Sequence, residues 1–223
     1  MLFRSLAVGD DGQTDLGRVA EILGALGYYC IAVIVGLLLH IGIVYLGFLK
    51  LLTPVKIGQF FKAIAPAQLL AFSTSSSGAT LPVTMRQCRE KLGTSKETTS
   101  FVLPLGATIN MDGTALYQAV AAVFIGQAYG ITLDIGAQIT IILTAVMASI
   151  GTAAVPGAGI IMLVIILEAV GISGEGVALI LGVDRILDML RTTTNVTGDA
   201  AVYTIIAHSE KQLSLGGVER RPQ

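Results

Sequence analysis

The chain has 223 residues, 53% of them hydrophobic and 13% charged, with a mean hydropathy of +0.78. These values exclude an ordinary water-soluble globular domain and point to a polytopic membrane protein. A net charge of −1 leaves no electrostatic footprint for nucleic acid, and Cys30 and Cys88, without partners at metal-ligand or CxxC spacing, read as free thiols.

Residues 1–21 turn acidic after eight positions and contain no long apolar core, so they read as a stub of a preceding helix and an external loop, not a signal peptide. Residues 22–52 are a continuous apolar stretch, interrupted only by Gly, Tyr, His40 and Lys50, and long enough to cross a ~30 Å hydrocarbon core even when tilted. In residues 57–86, two apolar arms of roughly a dozen residues each flank "STSSSGATLP"; each is too short to cross alone, which predicts a re-entrant hairpin. Lys50, Lys56 and Lys62 lie before the serines and Arg86, Arg89, Lys91 and Lys96 after them, so the positive-inside rule puts both ends on the cytoplasmic side.

Residues 97–129 can span once, but "INMDGT" interrupts them at depth. Residues 134–171 repeat the two-arm design around "SIGTAAVPGAG" with no basic flank, which predicts a second hairpin dipping from the external side. Residues 174–207 form a polar spanning helix, and residues 208–223, with Lys211, Arg220 and Arg221, a cytoplasmic tail. The expected fold class is therefore an all-α membrane protein, with spanning helices and two re-entrant helical hairpins in an inverted repeat whose polar tips meet near the midplane.

The last helix carries most of the chemistry. At ~100° per residue, Asp184, Asp188, Arg191, Asn195 and Asp199 fall within an arc of roughly 80°, with Thr192 at its edge. Ionisable groups at membrane depth cost about 2.5 to 3.5 kcal/mol each on insertion scales, so they line protein interior, a substrate path or an ion site. An internal ion-pair network is the plain alternative, with Arg191 neutralising Asp188 and Asp184. It leaves negative charge over, to which Asp112 adds, and bound cations would neutralise that surplus.

Hard cations take oxygen ligands, and an unwound helix frees carbonyls. "GATINMDGT" offers that combination: Gly106 and Gly113 favour unwinding, and Asn110, Asp112 and Thr114 bring side-chain oxygens. A glycine-kinked helix with a satisfied Asp112 is the alternative. At the hairpin tips, free amides beside the serines of "SSSG" and in "VPGAG" suit a carboxylate. A serine hydrolase built on Ser75 to Ser77 needs a base within reach, and His40 and His208 lie on other segments, so no enzyme is expected.

"SSSGATLPVTM", "LPLGATINMDGTALYQ", "ASIGTAAVPGAGIIML" and "LDMLRTTTNVTGDA", in this order and spacing, closely resemble the dicarboxylate/amino acid:cation symporters, the glutamate transporter family. The likeness covers roughly residues 20–210. It implies Arg191 for the substrate's side-chain carboxylate, Asp188 for its amino group and Asn195 for its α-carboxylate. Thr192 and Thr114 line the pocket, Ser76 and Ser77 belong to the first-hairpin contact with the α-carboxylate, and Val155 and Gly159 are second-hairpin contacts.

By the same resemblance, one Na⁺ site uses carbonyls of Gly106, Asn110 and Asn195 with the Asp199 carboxylate. A second uses carbonyls of Thr108, Ser149, Ile150 and Thr152, and a third the Asn110 and Asp112 side chains. No organic cofactor is implied.

The implied activity is Na⁺-coupled uptake of glutamate or aspartate across the plasma (inner) membrane, by an elevator motion gated externally by the second hairpin. A proton-coupled glutamate or dicarboxylate symporter is the alternative; Asp199 tilts the reading towards Na⁺. Members have an arginine either before the hairpin serines or beside the amine-binding aspartate, and this chain has Ser75 and Met189 there. Members are also roughly twice as long, with an N-terminal scaffold that makes the homotrimer. A truncated fragment that keeps the pocket without transporting is thus a further alternative.

Overall fold

A computed structural model describes residues 16–93 and 95–213; parts of the expected stub and tail lie outside the described residues. Among the described residues every regular element is helical. Helix α1 (Leu16–Leu39) passes through a π-helical segment (His40–Tyr45) into α2 (Leu46–Leu52), one continuous run. From Val19 to Leu52 it is long and apolar enough to cross a membrane, and only 17% of its most apolar window is buried. A soluble protein's core helix would be mostly buried, so the exposure of Leu23, Ile31, Val35 and Leu38 suits contact with lipid. The expected continuous span is therefore not a regular α-helix throughout. The π segment adds a residue to a turn and re-aims the face that carries His40 and Tyr45.

Helices α3 (Ile57–Thr74) and α4 (Ser77–Leu92) pack against each other and are joined by Ser75 and Ser76 alone. Ser75 takes a left-handed conformation (φ 52°) and stops α3. Ser76 then caps α4, its hydroxyl accepting from the Ala79 amide at 3.0 Å. After Ser95, whose side chain caps the next helix through Thr98, α5 (Lys96–Ile109) ends at the interruption, and α6 (Asp112–Ala128) resumes.

Helices α7 (Ile135–Ile150) and α8 (Ala158–Ala169) form the second packed pair. Asp134 caps α7 through the Ala137 amide at 2.7 Å. At about 1.5 Å per residue the 16 and 12 residues of α7 and α8 reach roughly 24 and 18 Å, short of a ~30 Å core. A 3₁₀ turn (Gly174–Leu179) precedes α9 (Leu181–Ser209), so the last helix starts seven residues later than residue 174.

Helix α9 is central: it contacts α1 to α6 and both irregular helical segments. It lies between two apolar cores. One, around Tyr117, Ile125, Leu163 and Ile166, is built by α1, α6, α7 and α8. The other, around Tyr45, Leu49, Phe60, Leu92 and Leu103, is built by the π segment and α2 to α5. The polar stripe of α9 therefore has protein on every side, and Asp184, Asp188, Arg191, Asn195 and Asp199 are all buried.

The helix break corrects one expectation. It falls at Asn110 and Met111, whereas Gly106 and Gly113 are both helical. These glycines serve close approach instead. A Cβ on Gly113 would lie 2.8 Å from the Arg191 carbonyl oxygen and 2.9 Å from Asn195 Oδ1, and one on Gly106 would lie 2.8 Å from Asp199 Oδ1. They let the broken helix press against the polar stripe of α9.

Candidate functional site

Arg191 is 2% exposed on α9. Its Nε donates to Asp188 Oδ1 at 2.9 Å, and its guanidinium carbon sits 4.4 Å from the centre of the Tyr117 ring. Gly159 of α8 lies directly against the guanidinium, where any Cβ would overlap it. Nη1 of Arg191 is buried with no hydrogen-bond partner. An arginine cannot shed its charge, so a buried, unpartnered nitrogen is a costly donor that an anion would satisfy.

Asp188 is held twice over, by Arg191 and by the Gly157 amide at the start of α8, which donates to Oδ2 at 2.9 Å. Asn195 Oδ1 accepts from the Gly113 amide at 2.8 Å, and its Nδ2 donates to Thr114 Oγ1 at 3.0 Å. A small cavity of about 20 Å³ joins these groups. Ser77, Thr114, Val155, Gly159, Asp188, Arg191, Thr192 and Asn195 line it, with Ser75, Met111, Thr152, Ala153 and Ala154. That volume admits about one water-sized sphere and no amino acid, so the arrangement is a closed one.

Ser76 is not on the wall. Its hydroxyl donates to the Ala154 carbonyl at 2.7 Å, and the Gly78 amide donates to the same oxygen at 3.1 Å. The two helix-pair tips are thereby latched together over the cavity. The expectation of free amides at these tips needs revision: those of Gly78, Ala79 and Gly157 already have acceptors.

One turn beyond Asn195, Asp199 is 4% exposed and accepts from Asn110 Nδ2 at 3.0 Å, with Gly106 pressed against it. Its carboxylate forms no ion pair among the described residues, where the pairs are His40 with Asp112 and Arg191 with Asp188. A buried carboxylate answered by one amide suits a small cation among oxygen ligands. The Gly106 carbonyl accepts from the Asn110 amide at 2.8 Å.

The remaining cation candidates lie on α5, α6 and α7 and in the turn after α7, and α5 and α7 are in contact. Asp112 faces the first run, accepting from the Tyr45 hydroxyl at 3.0 Å and meeting His40 Nε2 at 3.4 Å, so its side chain and that of Asn110 turn to different neighbours. Thr108 is exposed near the end of α5, while Ser149 and Ile150 end α7 and Thr152 follows it; the Ser149 carbonyl accepts from the Thr152 amide at 3.2 Å. His40 is thus engaged with Asp112, and Ser75 Oγ is buried without a partner.

Sequence reasoning missed Tyr117 and Gln118. Both are fully buried; Tyr117 stacks on Arg191, and Gln118 Nε2 donates to the Gly159 carbonyl at 2.9 Å. The signal was present, because "TALYQ" places them three and four residues after Thr114, on its helix face.

Among the described residues the fold is all-helical, with one run suited to lipid and a buried stripe that sets Arg191 among the carboxylates of Asp184, Asp188 and Asp199. The chain belongs to the sodium:dicarboxylate symporter family, whose model matches residues 13–209. It is 47% identical over 186 residues to excitatory amino acid transporter 2 of Homo sapiens, covering 83% of this chain and 32% of that protein. To excitatory amino acid transporter 4 of Rattus norvegicus it is 46% identical over 206 residues, 92% of this chain and 37% of the relative. To excitatory amino acid transporter 1 of Homo sapiens it is 48% identical over 194 residues, 87% and 35% respectively. The chain thus spans about a third of the length of the curated relatives it matches.

Proposed function

We propose that this chain is the substrate-binding part of a Na⁺-coupled symporter for acidic amino acids, resident in the plasma (inner) membrane. The observation that carries the reading is the unpartnered Nη1 of Arg191, a buried residue that lines a cavity with Asp188, Asn195, Thr114 and Ser77. A glutamate or aspartate side chain supplies the missing acceptor, and the guanidinium fork suits a carboxylate. Asp188 takes the ammonium group and Asn195 the α-carboxylate, while Thr114, Thr192, Ser77, Val155 and Gly159 shape the pocket.

Opening is a requirement of volume. A cavity of about 20 Å³ must grow by several-fold before an amino acid enters. Moving the α7–α8 tip away breaks the latch at Ala154 and withdraws the Gly157 amide from Asp188, which frees that carboxylate for an ammonium. This pair is therefore the external gate. The α3–α4 and α7–α8 pairs are re-entrant hairpins, related as halves of an inverted repeat, and the α3–α4 pair enters from the cytoplasmic side with its basic flanks.

Na⁺ is a second substrate. Asp199 with carbonyls of Gly106, Asn110 and Asn195 forms one site. Carbonyls of Thr108, Ser149, Ile150 and Thr152 form another once the gate closes, and Asn110 and Asp112 contribute to a third. Cation charge beside Asp199 offsets the cost of its burial, so closure over substrate is favoured with Na⁺ bound. In the whole protein this part moves as an elevator against the scaffold of a homotrimer.

The test is Arg191→Cys in the chain reconstituted in liposomes. Aspartate and glutamate binding should fall by more than about a hundredfold, as expected when a charge-assisted bidentate contact is lost. Retained glutamate binding would remove Arg191 from its role.

A further inference from the structure

Asp184 has no part in that binding scheme, yet it is a buried carboxylate on the same stripe, 8% exposed and one turn before Asp188. Its partner is the Tyr117 hydroxyl, which donates to Oδ1 at 2.6 Å. Arg185, next in sequence, is exposed, and neither Ser75 nor Met189 brings an arginine to it. Tyr117 is itself fully buried, and its ring carries the Arg191 guanidinium. Asp184, Tyr117 and Arg191 thus form a chain of contacts that ends at the unpartnered Nη1.

We propose that Asp184 and Tyr117 are a positioning pair that orients Arg191 and thereby sets the preference for an acidic side chain. A hydroxyl that donates to a carboxylate is polarised towards phenolate, which makes the ring face more negative and strengthens its hold on a cation. Asp188 fixes the guanidinium at Nε, and the ring fixes its plane. Two points define the direction of the remaining edge, so Nη1 is held against Gly159, itself on the cavity wall, before any ligand arrives. Bidentate recognition depends on that alignment. Asp184 acts on the substrate through Tyr117 and Arg191 and touches none of it.

This inference rests on the reading of Arg191 as the acid-binding group, and the experiment separates the two. Aspartate affinity is measured calorimetrically on the full chain in Na⁺ for the wild type, Tyr117→Phe, Asp184→Asn and the double variant. The Na⁺-induced rise in melting temperature is measured alongside as a readout of fold and of Asp199. Tyr117→Phe keeps the ring without the hydroxyl, and Asp184→Asn keeps an acceptor without the charge.

Each single variant should bind aspartate about tenfold more weakly, and the double variant no more weakly than either, with the Na⁺-induced rise unchanged. Unchanged aspartate affinity in Asp184→Asn and Tyr117→Phe overturns the positioning pair and leaves the role of Arg191 standing. Losses that multiply in the double variant overturn it as well, since the residues then act separately. A fall in both aspartate affinity and the Na⁺-induced rise makes the bond a mere pin between α6 and α9, which also overturns it. Absence of aspartate binding in the wild type overturns the functional reading itself and the pair with it.

Discussion

At the scale of single residues, buried charges on α9 are answered unequally. Asp188 has two strong donors and Asp184 one, whereas Asp199 has a single neutral amide. Removing an unanswered buried charge relieves a desolvation cost. Asp199→Asn should therefore leave the Na⁺-free protein at least as stable as the wild type and abolish the rise in melting temperature that Na⁺ produces. A ligand that binds only the folded state stabilises it by mass action, so thermal unfolding with and without Na⁺ reads this directly. A persistent Na⁺-induced rise in the variant would take Asp199 out of the cation site. Gly159 gives a second residue-level prediction. A methyl group there overlaps the Arg191 guanidinium, so Gly159→Ala should weaken aspartate binding by about tenfold or more, measured by calorimetry.

At the scale of elements, the broken helix packs on α9 through glycines as well as polar contacts. A Cβ on Gly113 meets backbone oxygen at 2.8 Å, which no side-chain rotation can relieve, whereas Gly24 of α1 has nothing within 4 Å of that position. Gly113→Ala should lower stability by about 1 to 3 kcal/mol, and Gly24→Ala should leave it unchanged or raised by up to about 1 kcal/mol. Chemical denaturation of the two variants in one detergent checks the contrast.

This marks what the sequence makes legible. Hydropathy and the polar interruptions reveal the helical segments, and the 3.6-residue period of α9 places its charges on one buried stripe. The interruption is legible as "INMDGT", but glycines in it read as unwinding points because a sequence carries no distances; pressed against α9, they are helical. The tip amides of Gly78 and Gly157 read as free because their acceptors, Ala154 and Asp188, lie 76 and 31 residues away along the chain. At the π turn His40–Tyr45, both end residues meet the carboxylate of Asp112, 72 and 67 residues away, a contact that sequence alone does not show.

At the scale of the whole molecule, two apolar cores flank one polar helix, and the anion-seeking and cation-seeking groups lie on successive turns of it. Arg191 and Asp199 are eight residues apart, about 12 Å along the axis, with Asn195 between them bonded to both the Gly113 amide and the Thr114 hydroxyl. The broken helix thus touches the proposed substrate site through Thr114 and the proposed cation site through Asn110. A cation that fixes Asn110 also fixes the wall of the substrate pocket, which supplies a physical path for coupling. The central claim is that this coupling exists. Its most direct test is the dissociation constant of aspartate for the reconstituted chain at constant ionic strength, with Na⁺ replaced stepwise by choline. The account predicts that affinity rises by at least about tenfold with Na⁺, a coupling of about 1.4 kcal/mol. An affinity indifferent to Na⁺, and rising only as the medium is acidified, would contradict it.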